Sequence, residues 1–312
     1  MIRCSILSLF SIALIACGGK QTPKADSNIA TATTPPAVNS ICFEPEFYPS
    51  RIESFEEYQR AIDGYWDSFN FEADTLVTAY NRTSVIEAFA DYVVYIEPQR
   101  ADSLLRAIIH RAEASRPVLD LFIDVSTMIL HDPNSPLRND EYYIPILEEL
   151  IVSPHMDEYD RIIFEHDLAI ARKNRIGETA ADFAYTTADG RESRMHDINA
   201  RYTLVMFSNP GCNMCADIIA EIDSSPLMNA MIEADQLKVL SIYPDEDLQA
   251  WRNKLESMPS RWIVAYDKEM KISTDKLYDL RAIPSLYLLD NAKRVIIKDG
   301  TNVAAIEAAM SR

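Results

Sequence analysis

The sequence has few cysteines, few glycines and no excess of basic residues. Five cysteines in 312 residues are too few to hold a small domain together by disulfides. A structural zinc site is not expected, because the sequence lacks a second Cys-x-x-Cys and a closely spaced histidine pair to complete the ligand set. The formal net charge of −18 argues against a nucleic-acid partner, since phosphate binding requires a basic surface.

Glycine is almost absent from residues 41–180, where only Gly64 and Gly177 occur. Apolar residues recur there at three- and four-residue steps, and prolines separate the runs. Ser50 and Ser84, each followed three residues later by Glu, indicate capping boxes. This pattern predicts an all-α bundle of five to seven helices over residues 41–175, acidic because 26 acidic residues stand against 12 basic ones.

No catalytic pattern is evident within residues 41–175. The four histidines there lack the spacing of a ligand pair and are interpreted as surface residues or as hydrogen-bonded partners. Cys42 is interpreted as a buried thiol, and the alternatives are a redox partner of a later cysteine pair or an intermolecular disulfide. A group of aromatic residues is interpreted as core rather than as a binding groove: Tyr58, Tyr65, Trp66, Phe69 and Phe71.

The N-terminus has the pattern of an export signal. A basic start at Arg3 precedes an apolar segment over 6–16 that is too short to span a bilayer. The sequence Leu-Ile-Ala-Cys17-Gly-Gly resembles the lipobox of bacterial lipoproteins. That resemblance implies a signal peptide over 1–16 and acylation of Cys17, which anchors the chain to a membrane in the cell envelope. Residues 17–40 are then a flexible tether; an ordinary signal peptide with a chance cysteine is the alternative.

A second pattern begins near residue 176 and is centred on the stretch 203–215. An apolar run of strand type leads through Pro210 and Gly211 into Cys212-Asn-Met-Cys215, and a helical pattern follows. The first cysteine would lie at a helix N-terminus, where backbone N–H groups favour a thiolate and lower its pKa. The second lies about one helical turn later, close enough for a Cys212–Cys215 disulfide.

The remaining segments predict alternating strands and helices over 176–312. Asp189-Gly190 indicates a hairpin turn, and strands are expected over 237–243, 262–266, 286–290 and 295–297. Helices are expected over 245–258 and 301–310.

This order of elements resembles the thioredoxin fold, and residues 176–312 are similar to the membrane-tethered TlpA/ResA-like thiol-disulfide oxidoreductases. Three features carry the similarity: the opening Ile176-Gly-Glu-Thr-Ala-Ala-Asp-Phe, the Cys-x-x-Cys, and Ile283-Pro284. The resemblance implies a cis Ile283–Pro284 peptide facing the cysteines, where the backbone of Ile283 pairs with a substrate strand. Pro210 and Gly211 are expected to contact the same substrate. The helical domain resembles the N-terminal domain of some Gram-negative thioredoxin-like lipoproteins.

The expected activity is dithiol–disulfide exchange, with Cys212 as the nucleophile and Cys215 as the resolving thiol. The redox-active disulfide requires no other cofactor and no metal. The expected partners are protein thiols and disulfides and, for a reductase in the periplasm of a Gram-negative bacterium, a membrane electron donor.

The sequence departs from the family at four positions. Ala181 replaces the usual proline of the opening motif, and Gly211 stands where a tryptophan often precedes the first cysteine. Met206 and Ile218 occupy positions where related proteins carry a carboxylate that accepts a proton from the resolving thiol. The source of the base for Cys215 is therefore open, although Asp217 and Glu221 lie nearby in sequence.

Three alternatives follow from the same residues. In the first alternative, the chain is a lipoprotein binding or scaffold module: its Cys212–Cys215 disulfide is structural, and its helical domain recruits a partner. In the second alternative, the chain is a peroxidase, although Asn209 replaces the threonine that usually lies three residues before the reactive cysteine. In the third, it is a copper chaperone that binds Cu(I) through Cys212, Met214 and Cys215.

Overall fold

The computed structural model describes residues 42–73 and 82–311. The predicted signal peptide (1–16), the lipidated Cys17 and the tether (17–40) lie outside the described residues. Within the described ranges no helix is long and apolar enough to cross a bilayer.

The described part of the N-terminal domain is all-α, as predicted. It contains six α-helices, within the five to seven expected. A short π-helical segment, Thr127–His131, extends the fourth of them. The helices are α1 (Phe55–Asp63), α2 (Arg82–Tyr95), α3 (Pro98–Ala112), α4 (Arg116–Ser126), α5 (Asp140–Val152) and α6 (Glu158–Ala171).

Short polar side chains begin several of these helices. Ser54, rather than Ser50, is the N-cap of α1, and its side chain accepts a hydrogen bond from the Glu57 amide. Ser84 lies inside α2 and accepts from the Phe43 amide, so the prediction of capping boxes at Ser50 and Ser84 was wrong. The error arose because a Ser-x-x-Glu pattern is common in exposed helix starts and also arises within a helix.

The core of this domain is rich in aromatic rings. Tyr65, Trp66, Phe69 and Phe71 are buried in it, as predicted, whereas Tyr58 is half-buried and packs against it. Trp66 is fully buried and packs against the rings of Phe43, Phe69 and Phe122 at centroid distances of 5.2–5.9 Å. Such offset and edge-to-face contacts add to the stabilisation from burial itself.

The C-terminal domain contains one seven-stranded mixed sheet with helices on its faces. The strand order is β2-β1-β5-β4-β3-β6-β7, in which β3, β4 and β5 are parallel and the other neighbours are antiparallel. The strands are β1 (Ala184–Thr187), β2 (Glu192–Arg194), β3 (Tyr202–Phe207), β4 (Leu237–Tyr243), β5 (Ile263–Tyr266), β6 (Ser285–Asp290) and β7 (Val295–Gly300).

Five helices accompany the sheet. Asp247 caps the third of them, so the helix expected over 245–258 is shorter and ends in a 3-10 turn. The helices are α7 (Asn213–Ser224), α8 (Pro226–Glu233), α9 (Leu248–Lys254), α10 (Lys271–Thr274) and α11 (Val303–Met310).

Strand β3 is buried on both faces, as an interior strand of a covered sheet should be. Leu204 and Met206 pack with α7, α8 and α11 on one face, and Val205 and Phe207 pack on the other. The carboxyl end of β3 lies beside the start of β6, since Phe207 is opposite Ser285. This edge of the sheet therefore brings together the Cys-x-x-Cys segment and the Ile283-Pro284 segment.

Candidate functional site

The two cysteines follow directly from the buried strand β3 through a four-residue turn. Gly211 adopts a φ of +82°, a left-handed conformation that residues with a Cβ rarely take, and this allows the tight turn before the helix. Cys212 is the N-cap of α7, and Cys215 lies within its first turn. The turn thus places the first cysteine at the edge of the sheet and the second inside the helix.

Cys212 and Cys215 form a disulfide, with their Cα atoms 5.2 Å apart. The two sulfur atoms differ in accessibility, because Cys212 is half-buried whereas Cys215 is only 2% exposed. The Cys215 amide also donates a hydrogen bond to Cys212 Sγ at 3.1 Å. An incoming disulfide or thiol can therefore reach Cys212 and not Cys215, and the helix N-terminus stabilises negative charge on Cys212.

The segment before β6 lies against the disulfide. The Ile283–Pro284 peptide is cis, and the Ile283 carbonyl oxygen lies 3.7 Å from Cys212 Sγ. Because Sγ carries no proton in the disulfide, this is a contact rather than a hydrogen bond. A backbone carbonyl at this distance is placed to pair with an extended segment whose own sulfur approaches Cys212.

A pocket of about 460 Å³ opens beside the disulfide, and its described lining includes neither Ile283 nor Pro284. Its walls are largely apolar and come from α7, from α9 and from the segment before β5. The lining contains Pro210, Gly211, Cys212, Cys215, Ile219, Asp223, Trp251, Lys254, Met258 and Val264, among others.

The structure leaves both expected carboxylate positions without an acid. Met206 is completely buried and Ile218 is 5% exposed, whereas Asp217 and Glu221 are exposed to solvent. The one acid among the described residues that line the pocket is Asp223, which is also exposed. A proton leaving Cys215 therefore has an open pocket beside it, rather than a buried carboxylate at either position.

The predicted site residues thus divide into three groups. The structure brings together Pro210, Gly211, the two cysteines, and Ile283 with Pro284. Cys42 was predicted to be buried but is half-buried, because it lies at the edge of the N-terminal domain's described part, and it belongs to no described part of this cluster. Cys17 lies outside the described residues. Within the described ranges, no group of three or more His, Cys, Asp and Glu side chains is arranged to hold a metal ion.

Sequence patterns did not identify the pocket walls or one buried histidine. Trp251, Lys254 and Met258 are brought to the cysteines from positions more than 35 residues away, and no spacing rule links them to the motif. His131 is buried and contacts Arg281 of the C-terminal domain, which fits its interpretation as a hydrogen-bonded partner. Its only sequence signal was a histidine among apolar neighbours.

Two protein families match the chain, one in each half, and the two matches meet near residue 175. Residues 20–174 match DUF5106, a domain of unknown function, and residues 176–298 match the AhpC/TSA family. No curated protein matches the chain.

Solved structures extend these matches. The crystal structure of a thioredoxin-like protein from Bacteroides caccae is 35% identical, with a TM-score of 0.80; the match covers 86% of this chain and 97% of that one. The C-terminal domain of an uncharacterized protein from Bacteroides fragilis is 42% identical over 45% of this chain and 99% of its own, with a TM-score of 0.43. The first match extends over both domains and confirms the predicted thioredoxin-like fold behind a helical domain.

Proposed function

Because this chain belongs to the family of thioredoxin-like proteins that carry a DUF5106 domain before an AhpC/TSA-family domain, we propose that it is a thiol-disulfide oxidoreductase acting on protein disulfides. One observation carries the proposal: the Cys212–Cys215 disulfide lies at a helix N-terminus with Cys212 accessible and Cys215 buried. The Ile283 carbonyl beside Cys212 supplies a backbone partner for an extended substrate.

The reaction consists of two successive thiol–disulfide exchanges. In the reduced protein, the Cys212 thiolate attacks one sulfur of the substrate disulfide, a mixed disulfide forms and the other substrate sulfur leaves as a thiolate. The Cys215 thiolate then attacks Cys212 Sγ, which releases the second substrate sulfur and closes the Cys212–Cys215 disulfide. The substrate gains two electrons and two protons, and the protein loses them. The Cys212/Cys215 pair, which passes from dithiol to disulfide, is the reactive group, and no other cofactor takes part.

We propose that the chain works as a reductase and that a membrane electron donor reduces it again. The similarity to TlpA/ResA-like proteins supports this direction. A peroxidase is less well supported, because Asn209 stands three residues before Cys212 and the described pocket lining contains no arginine. The scaffold hypothesis and the reductase hypothesis differ in the stability of the disulfide, which a redox titration measures.

The redox titration is expected to give one two-electron midpoint between about −120 and −270 mV, the range of known exchange proteins, and near its lower end for a reductase. The chain from residue 17 onward, carrying Cys17→Ser, is equilibrated at a series of potentials. Its thiols are alkylated and counted by mass. Cys42→Ala is the matched control, because it removes the cysteine outside the pair and should leave the midpoint unchanged.

Two results would contradict the proposal. A pair that stays oxidised below about −300 mV behaves as a structural disulfide and favours the scaffold hypothesis. A pair that does not close at any potential excludes disulfide exchange and brings back the copper and peroxide hypotheses.

We also propose that the protein is lipid-anchored through Cys17 and faces the periplasm. The lipobox-like sequence and the tether-like composition of residues 17–40 support this location. In cells fed a labelled fatty acid, the wild-type chain is expected to carry label and to sediment with membranes. Cys17→Ser should lose both properties because it lacks the acylated sulfur. Cys4→Ser is the matched control, and label that persists in Cys17→Ser would overturn the proposal.

A further inference from the structure

The N-terminal domain holds the segment that leads into Ile283. Arg138, which lies between the π-helical segment and α5, pairs with Asp279 at 2.7 Å (Nη2 to Oδ2) and also with Asp299 at the end of β7. Both of these ion pairs are almost completely buried. Asp279 lies four residues before Ile283, so an arginine of one domain is fixed to the substrate-facing segment of the other.

A second contact lies two residues closer to Ile283. Arg281 Nη1 lies 2.5 Å from His131 Nε2, and the same guanidinium donates to both carboxylate oxygens of Asp279. Burial, reinforced by the charge of Arg281, lowers the pKa of His131, so its imidazole is neutral and can accept this hydrogen bond. His131 is itself held by stacking on Tyr143 at 4.7 Å.

Contacts on either side complete the attachment. Asn174 Nδ2 donates to the Leu277 carbonyl at 2.8 Å. Lys298 Nζ pairs with Asp140 at 2.7 Å and donates to the carbonyls of Ala171 and Lys173, both at 2.7 Å. The helical domain therefore binds the segment 277–281 at three points before the chain reaches the cis peptide.

We propose that His131 and Arg138 are positioning residues for the exchange reaction: through Arg281 and Asp279 they hold the Ile283 carbonyl where a polypeptide substrate must pair beside Cys212. The proposal rests on the function proposed above and gives the DUF5106 domain a role in it. Neither residue touches Cys212 or Cys215 in the described contacts. They affect the reaction only by fixing the position of the Ile283 carbonyl before substrate binds. This preorganisation sets the affinity for an extended substrate.

The test compares a polypeptide disulfide with a small one in single-turnover reactions of the reduced protein. Insulin serves as the polypeptide probe and 5,5′-dithiobis(2-nitrobenzoate) as the small probe, which needs Cys212 and no strand pairing. His131→Phe keeps a ring that stacks on Tyr143 and removes the acceptor of Arg281. It is expected to raise the half-saturating insulin concentration about three- to tenfold, with the maximal rate and the small-disulfide rate within about twofold of wild type.

Arg106→Met is the matched control. Arg106 is also a helical-domain arginine that pairs with several carboxylates, but Asp102, Glu148 and Glu149 all belong to its own domain. Its insulin saturation should equal that of wild type. If His131→Phe does not melt cooperatively, Arg138→Lys replaces it under the same criterion, because lysine keeps the charge and loses the two-sided contact with Asp279 and Asp299.

Each outcome decides between the possibilities. An unchanged insulin saturation overturns the proposal, and so does an equal loss with both disulfides, since that would mean an effect on the cysteines themselves. Wild-type protein that reduces neither probe contradicts the proposed function instead, and this result is distinct from a failure of the positioning role.

Discussion

Cys212→Ser is expected to lower the reduction of protein disulfides to the uncatalysed rate, a loss of roughly a thousandfold or more, because the thiolate is the attacking group. The buried Cys215 cannot take its place, since its side chain is 2% exposed and lies beneath Cys212 in the first turn of α7. The rate is measured with insulin and with the small disulfide used above, and both should fall together.

Cys215→Ser is expected to behave differently and thereby to separate the two roles. Cys212 can still attack, but no resolving thiol follows, so the mixed disulfide with the substrate should persist. It is detected as an adduct by intact-mass measurement, and it should disappear on addition of excess dithiothreitol. Cys42→Ser should retain the wild-type rate and form no lasting adduct. Near-normal turnover by Cys212→Ser would exclude this mechanism.

Arg138→Met is expected to lower the free energy of unfolding by about 3–5 kcal/mol, the usual cost of removing one partner from a buried ion pair. The side chains of Asp279 and Asp299 are 3% and 8% exposed. Without Arg138, Asp299 would lose its arginine in a place that water barely reaches, and Asp279 would keep only Arg281. Urea unfolding is followed by tryptophan fluorescence. Trp66 reports on the helical domain, and Trp251 and Trp262 report on the α/β domain.

Arg106→Met again supplies the matched control. Its partners are a quarter to two-thirds exposed, so the expected loss is only about 0–1 kcal/mol. Equal losses in the two variants would show that the interdomain pair contributes no more than a surface pair. If wild type unfolds in one urea transition and Arg138→Met unfolds in two, these contacts also couple the unfolding of the two domains.

The effect of Arg138→Met should depend on pH. Burial alone would raise the pKa of Asp279, but Arg281 and Arg138 outweigh it and hold that pKa below its usual value. A carboxylate whose pKa is lower in the folded protein stabilises the fold at a pH above its unfolded-state pKa of about 4. This stabilisation is lost as the pH falls through its folded-state pKa. Burial raises the pKa of Asp299 despite Arg138, so its ionisation costs stability as the pH rises.

Without Arg138, both carboxylates become harder to ionise. The loss of stability should therefore be largest near pH 7 and shrink as the pH falls, first as Asp299 binds a proton above about pH 4 and then as Asp279 binds one below it. Urea midpoints of wild type and Arg138→Met across this range measure the difference. A gap that stays constant with pH would mean that lost packing, rather than charge, destabilises the variant.

Much of the C-terminal domain was predictable because its signals are local. The apolar run of β3, the turn at Gly211 and the helix after Cys212 are adjacent in sequence, and each element follows from the residues that form it. Short caps were predicted less well. A serine followed three residues later by a glutamate recurs by chance, which is why Ser84 was wrongly expected to begin a helix although it lies inside α2.

The sequence by itself determined that two cysteines one helical turn apart follow a buried strand, and with the family resemblance this was enough to expect the fold and the disulfide. It could not show that Cys215 is buried and Cys212 is not, since accessibility depends on how α7 packs on the sheet. Nor could it relate His131 and Arg138 to Ile283, because 145 or more residues separate these partners and no pattern in a sequence records which distant charges meet. Only the tertiary structure showed that the helical domain binds the segment beside the disulfide. An arginine and an aspartate that are buried together must pair, but folding alone determines which arginine meets which aspartate.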